Sequence, residues 1–180
     1  LGINSKGINW LAKQFNDNLL TRQLPPILML TKGLAINEDK YELLSDKLER
    51  FLINKGFNDI NISCVAGPCL AVELANKVHS SVIFANKKLD TVKWLKKILT
   101  TNYYHPEISQ DIVGVETCAA IKNIYSIAIG SSIGIENNQL ENLNKKNNYL
   151  NAAAGLMKQS LYEMEVFLDF VNGKKDTVYG

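Results

Sequence analysis

The sequence predicts an α/β fold, a parallel β-sheet with helical crossovers followed by a segment built of helices alone. Three observations carry this expectation. Short apolar runs alternate with amphipathic stretches of helical period as far as Tyr104. The run Ile27-Leu28-Met29-Leu30 lacks period-two alternation, which suits a strand covered on both faces of a parallel sheet. Beyond Asp111 no strand-like run remains.

Taken in order, Ile8, Leu11, Ala12, Phe15 and Leu19 recur at helical spacing, and Gln23-Leu24-Pro25-Pro26 stops that helix. Ile27 to Leu30 reads as a strand. Tyr41 to Ile53 reads as an amphipathic helix with Leu43, Leu44, Leu48, Phe51 and Leu52 inward, closed by Lys55-Gly56, and Ile60 to Val65 is strand-like. A short helix is expected from Cys69 to Asn76, with Pro68 at its opening turn. Ser81 to Ala85 is a strand, and Leu89 to Leu99 is a helix with Val92, Leu95 and Ile98 inward. Tyr103-Tyr104 is a last short strand. Such alternation predicts right-handed parallel crossovers. The pattern changes at residues 106 to 111, where a domain boundary is expected. One helix then runs from about Ile112 to Gly130 and another from about Tyr149 to Val171. The polar stretch 136–148, ENNQLENLNKKNN, is expected to be a mobile loop, because it can bury too little apolar surface to offset the entropy of ordering. Small residues Ala119, Ala120, Ala128 and Gly130, with Ala152, Ala153, Ala154 and Gly155, suggest that the two helices pack closely.

Composition excludes several classes. With 180 residues, 20 Lys+Arg, 18 Asp+Glu and 46% hydrophobic residues, the chain can form one ordinary domain or two partial ones and is not disordered by composition. A net charge of +2 is too small for a protein whose main task is to grip nucleic acid. Cys64, Cys69 and Cys118 are odd in number and lack C-x-x-C spacing, so neither a zinc site nor a disulfide framework is expected, and a reducing, cytosolic setting fits. Ile112 to Ile135 is long enough to span a bilayer, but it contains Glu116 and Lys122, each costing about 2.5–3.5 kcal/mol at mid-bilayer, so a buried helix is expected. Leu1 is no initiator and Gly2 to Asn4 no signal n-region, so a start within a longer chain is expected.

Four places can carry chemistry. Thr31-Lys32-Gly33 follows a strand directly, where α/β sheets bind ligands, and a lysine there is either a phosphate-seeking point charge or a solvated loop residue. Ala66-Gly67-Pro68-Cys69 follows the next strand; it is either an anion site at a helix start or a plain turn. Lys122 is the only lysine or arginine between Lys97 and Lys145, on a helix otherwise built of Val, Ala, Ile and Gly. It is either a general acid/base, a partner of Glu116, or a side chain snorkelling to water. Asn123 sits about 100° further round that helix and could reach a substrate hydroxyl.

Together Thr31-Lys32-Gly33-Leu34, Ala66-Gly67-Pro68-Cys69-Leu70-Ala71-Val72-Glu73-Leu74, Val113-Gly114-Val115-Glu116 and Ala120-Ile121-Lys122-Asn123-Ile124, in this order, resemble the NAD(P)-dependent glycerol-3-phosphate dehydrogenases. The ending Asp176-Thr177-Val178-Tyr179-Gly180 is similar to the approach to that family's next glycine-rich motif. The resemblance implies that residues 1–108 form the C-terminal part of an NAD(P)-binding Rossmann-like domain and residues 109–180 the first helices of an α-helical catalytic domain. It implies reversible hydride transfer between a nicotinamide (NAD or NADP) and dihydroxyacetone phosphate, giving glycerol 3-phosphate for phospholipid synthesis. It also implies Lys122 as catalytic acid/base and substrate contact, Lys32 at cofactor and substrate, Gly67, Cys69 and Asn123 at the substrate, and Ala71 at the cofactor. No metal, nucleic acid or membrane span is implied, and a homodimer is one assembly open to it.

The sequence also departs from the family. The G-x-G-x-x-G that seats the pyrophosphate is absent, Leu1 to Ser5 reading instead like the end of a mid-sheet strand, and the chain stops before the glycine-rich turn and Arg-Asn pair that hold phosphate. Position 69 is Cys where Ser or Thr is usual, 136–148 replaces a short Gly-rich loop, and an arginine-bearing helix start reads Asn151-Ala152-Ala153-Ala154. The chain alone is expected to turn over poorly. Two other readings compete: a β-hydroxyacid dehydrogenase or ketopantoate-reductase relative, whose lysine and asparagine lie four apart where this chain has Ser126, and a non-catalytic remnant of the fold.

Overall fold

A computed structural model describes residues 1–15, 24–142 and 150–179. Its helices are α1 (Gly7–Gln14), α2 (Leu44–Asn54), α3 (Ala71–Ala75), α4 (Leu89–Leu99), α5 (Ile112–Asn142) and α6 (Asn151–Phe170). Its strands are β1 (Ile27–Met29), β2 (Leu34–Asn37), β3 (Lys40–Leu43), β4 (Ile62–Ala66), β5 (Ser80–Ala85) and β6 (Tyr104–Ser109), and a 3₁₀ turn spans Lys175–Tyr179. The main sheet has the order β1-β4-β5-β6, with helices on both faces.

β1 has partners on both sides, Ile27 and Met29 in one apolar cluster and Leu28 in another, which explains the lack of alternation in that run. Val82 and Phe84 of β5 pack with Val92 and Leu95 of α4 on one face, while Cys64 of β4 and Ala85 of β5 meet Ile112 and Val115 of α5 on the other. At the β1 end, Met29 and Ile62 join Ile8 of α1 and Leu44, Leu48 and Leu52 of α2. Leu1 lies alongside β1, donating to the Leu28 carbonyl at 2.6 Å and accepting from Leu30 N–H at 2.9 Å. This is the bonding of a neighbouring parallel strand, in keeping with the strand-like reading of the first residues.

The α/β class stands, but the sheet is not wholly parallel. β1–β4 and β5–β6 are parallel, whereas β4–β5 is antiparallel. The link between β4 and β5 contains only the five-residue α3, all but one of whose residues are exposed. So short a helix cannot cover a sheet face as a crossover helix does, and the chain turns back instead.

Other expectations are corrected. Tyr41 to Leu43 belongs to β3 of a hairpin with β2, closed by Glu38 (φ 48°) and Asp39 (φ 61°), a turn whose positive φ values the sequence does not advertise with Asn-Gly. α3 begins at Ala71, so Pro68 lies in the preceding loop and not in a first helical turn. Ile98 is 52% exposed; Leu99 packs inward, seven residues from Val92 and four from Leu95, whereas Ile98 lies about 240° round the helix from Val92. β6 runs through Pro106, tolerated at a sheet edge, so the change to helices falls between Ser109 and Ile112. α1 ends at Gln14, and residues 16–23 of its predicted extent lie outside the described residues.

α5 reaches Asn142, so residues 136–142 extend a helix and do not form the expected loop; adding residues to an existing helix needs no new nucleus. Residues 143–148 of that loop lie outside the described residues. α5 is long and apolar enough by length and composition to cross a membrane. The burial that its sequence predicts is confined to its first turns, and Ile124, Ile127 and Ile135 are exposed. α5 and α6 do pack together, with Ala119 and Ala153 buried, but Gly130 and Gly155 face open space. The close backbone approach is made by Gly114 and Gly173, where a Cβ on Gly173 would stand 3.1 Å from the Gly114 Cα.

Gly67 turns the chain out of β4 at φ +135°, and a Cβ there would lie 2.8 Å from the Ser81 carbonyl oxygen and 2.9 Å from the Val82 Cα. Gly67→Ala is therefore expected to lower stability by about 1–3 kcal/mol, read as a reduced urea midpoint with an unchanged slope.

Candidate active-site cleft

α5, which lines the cleft, is anchored at its start by two carboxylates. Asp111 caps the helix, its Oδ1 accepting from the Gly114 N–H at 2.9 Å. Its Oδ2 accepts from the Lys174 N–H at 2.8 Å and the Thr177 hydroxyl at 2.6 Å, which ties the 3₁₀ turn to the same point. A Cβ at Gly114 would collide with that carboxylate. One turn on, Glu116 is 3% exposed and accepts from the Ser45 N–H at 3.0 Å and the Ser45 hydroxyl at 2.5 Å. Burial first of all holds the Glu116 carboxyl above its ordinary pKa, opposed by the Ser45 bonds and by the Leu44 amide. Thr117 and the Tyr41 hydroxyl are 2.6 Å apart, and burial first of all pushes the Tyr41 phenol up to about 12.

Anchored in this way, α5 forms one wall of a cleft of about 330 Å³ with Gly67 and Pro68 opposite, and Val115, Cys118, Ala119 and Lys122 facing it. Ile83 and Ala66 come from the sheet, Met164 from α6, and Thr177 and Val178 from the 3₁₀ turn. The cleft is mostly apolar, with Lys122 as its charged group; a second recess beside it shares Ile83, Val115 and Thr177 and carries Glu107, Lys174 and Asp176.

Of the residues singled out from sequence, Gly67 and Lys122 line this cleft together. Lys32 lies within electrostatic reach of both Lys122 and Cys69. Its ammonium is held below the ordinary lysine pKa, first by partial burial and second by the like charge of Lys122, with Cys69 acting the other way. Lys122 does not pair with Glu116, which is committed to Ser45. Lys32, Cys69, Ala71 and Asn123 are not among the lining residues; Ala71 and Asn123 are exposed, and Cys69 packs with Val82, Phe84, Val92 and Leu95 on the α4 face of the sheet. The five-residue α3 offers no helix N-terminus of the kind expected at Gly67 to Cys69.

Sequence reasoning missed Asp111, Thr177, Met164 and Cys118. Aspartate directly before a helix and three residues ahead of Gly114 is a capping signal that could have been read. Nothing local marks Thr177 or Met164, which reach the cleft through the packing of α6. Cys118 lies within an apolar run, and its thiol is pushed up to about 11, mainly by burial.

A mixed β-sheet flanked by helices on both faces, with a lysine-bearing cleft where its strands give way to a helical segment, defines a Rossmann-like protein. Two family models cover most of the chain: NAD-dependent glycerol-3-phosphate dehydrogenase N-terminus over residues 1–92 and C-terminus over residues 111–180. The chain belongs to the NAD-dependent glycerol-3-phosphate dehydrogenase family. It is 30% identical over 163 residues to the NADP(+)-dependent glycerol-3-phosphate dehydrogenase of Archaeoglobus fulgidus, an alignment covering 86% of this chain and 43% of that protein. It is 25% identical over 180 residues to the glycerol-3-phosphate dehydrogenase [NAD(P)+] of Clostridium botulinum, covering 100% of this chain and 48% of that one. The crystal structure of glycerol-3-phosphate dehydrogenase from Coxiella burnetii superposes with a TM-score of 0.76 at 25% identity, over 99% of this chain and 48% of that one. The chain thus spans a little under half the length of these relatives.

Because Lys122 contributes to the depressed pKa of Lys32, Lys122→Met is expected to raise the Lys32 pKa. Titration of the Lys32 ¹³Cε resonance by NMR measures this directly.

Proposed function

We propose that the protein carrying this chain is an NAD(P)-dependent glycerol-3-phosphate dehydrogenase, reversibly reducing dihydroxyacetone phosphate to sn-glycerol 3-phosphate. The observation that carries the reading is the placement of Lys122 in an apolar cleft, opposite Gly67 and within the field of Lys32. The residues present suit a nicotinamide cofactor. Ala66, Ile83, Val115 and Met164 offer apolar surface to a flat ring, and two lysines offer charge to phosphate groups. Lys32 and Ala71 would hold it, and when bound it supplies the hydride.

The chain's own residues do the rest. The Lys122 ammonium donates a hydrogen bond to the C2 carbonyl oxygen of dihydroxyacetone phosphate and stabilises the charge that grows there. It then gives that oxygen its proton, and takes it back in the reverse direction. Lys32 adds positive field across the cleft, which favours a phosphate-bearing substrate. Gly67 lets backbone approach it, since no side chain stands there, while Cys69 and Asn123 lie outside the cleft lining and take no part in this reading. On this reading residues 1–108 serve the cofactor and 109–180 the catalytic helices. A cytoplasmic location accords with the free thiols of Cys64, Cys69 and Cys118, and a homodimer would cover some of the exposed apolar surface of α5 and α6.

The alternative β-hydroxyacid or ketopantoate chemistry has less support, because Ser126, four residues after Lys122, donates to the Lys122 backbone carbonyl and so turns back onto its own helix.

The test is oxidation of NADH or NADPH by the protein from its own reading frame, with dihydroxyacetone phosphate as substrate. Substrate-dependent loss of nicotinamide absorbance is expected; its absence overturns the reading. Lys122→Ala is expected to cut kcat at least about 10²-fold with cofactor affinity nearly unchanged.

A further inference from the structure

We propose that Glu116 is a positioning residue for Lys122, a buried carboxylate that fixes the rotation of α5 by capping α2 from outside. The inference deepens the reading of the preceding section and rests on it.

The start of α2 lacks a cap of its own. Its N-cap residue, Leu43, makes no side-chain hydrogen bond, so the first amides of the helix need an acceptor from elsewhere. Glu116 supplies one, taking the Ser45 N–H with one oxygen and the Ser45 hydroxyl with the other. A carboxylate at a helix N-terminus also meets the positive end of the helix dipole. Because Glu116 is 3% exposed, no water can replace Ser45, and any rotation of α5 that broke this clamp would strand a buried charge.

Glu116 and Lys122 lie six residues apart on one helix, about 9 Å along its axis and 240° around it. A clamp on one side therefore aims the side chain on another. With a helix radius near 2.3 Å and a lysine reaching roughly 6 Å further, a rotation of about 10° swings Nζ by more than about 1 Å. A misplacement of that size in a catalytic group can cost on the order of 10²-fold in rate. Lys122 has a reason to move if released, since Lys32 carries the same charge nearby.

The test compares wild type, Glu116→Gln, Ser45→Ala and Lys122→Ala in the protein from its own reading frame. Glu116→Gln keeps the shape of the side chain but loses the charge and one acceptor. Per folded cofactor-binding site, it is expected to lower kcat about 10-fold, leave KM for dihydroxyacetone phosphate within about 2-fold, and raise the primary deuterium isotope effect from deuterated nicotinamide. Ser45→Ala should shift both quantities the same way and less. A purely structural role would reduce the number of folded sites and leave KM and the isotope effect alone. An unchanged isotope effect and kcat in Glu116→Gln, beside an inactive Lys122→Ala, overturns this inference and spares the functional reading. A wild type without activity overturns the functional reading, and Glu116 is then judged by the Lys32 ¹³Cε titration alone. Release of α5 should raise the Lys32 pKa towards its value in Lys122→Met, and a Lys32 titration unchanged by Glu116→Gln overturns the inference.

Discussion

Two buried carboxylates at the start of α5 set the geometry on which the cleft depends. An ionised carboxylate out of water is costly unless its oxygens are filled by donors, and the cost of leaving one bare reaches several kcal/mol. Asp111 and Glu116 each find donors on a different element: the 3₁₀ turn after α6 for one, the first turn of α2 for the other. Their demands meet in one helix. α5 is held at its base from both sides, and the apolar residues between, Ile112 and Val115, are pressed onto the sheet. A helix defined by apolar contact alone could slide or roll at little cost; polar contacts of fixed length forbid this.

This anchoring explains why a single lysine can be offered to a cleft otherwise lined by small and apolar side chains. Lys122 sits just beyond the buried turns of α5, where burial gives way to exposure along the helix. It is half-buried and lines the cleft together with Gly67. Lys32 arrives from the end of β1, and the two ammonium groups repel. An anion between them would relieve that repulsion. The glycines act on the backbone: Gly67 clears a side chain from the rim, and Gly114 with Gly173 lets the 3₁₀ turn come close enough to share Asp111.

Much of this was legible because its causes are local. Lys32 directly after an apolar run, Gly67-Pro68 after the next, and one lysine in an apolar helix are features that sequence spacing alone exposes. The helices at Leu89–Leu99 and Asn151–Phe170 follow from periodicity, which neighbours reinforce and do not override. What stayed hidden depended on partners far away in sequence. Tyr41 to Leu43 has the apolar content of a helix start, yet pairing with Leu34 to Ile36 makes it a strand. The reversal between β4 and β5 follows from how little α3 can cover. Glu116 could be read as the partner of Lys122 because both lie on one helix, until Ser45, seventy-one residues away, claimed it.

The sequence by itself determined the α/β class, the order of most elements, the family resemblance and Lys122 as the charge of the cleft, because periodicity, turn residues and isolated charges are properties of short stretches. Only the tertiary structure decided the direction of β4 against β5, the close approach of Gly114 to Gly173, and the donors that fill Asp111 and Glu116. These are settled by which surfaces can be covered and which buried charges satisfied at once, and such constraints exist only after distant segments meet.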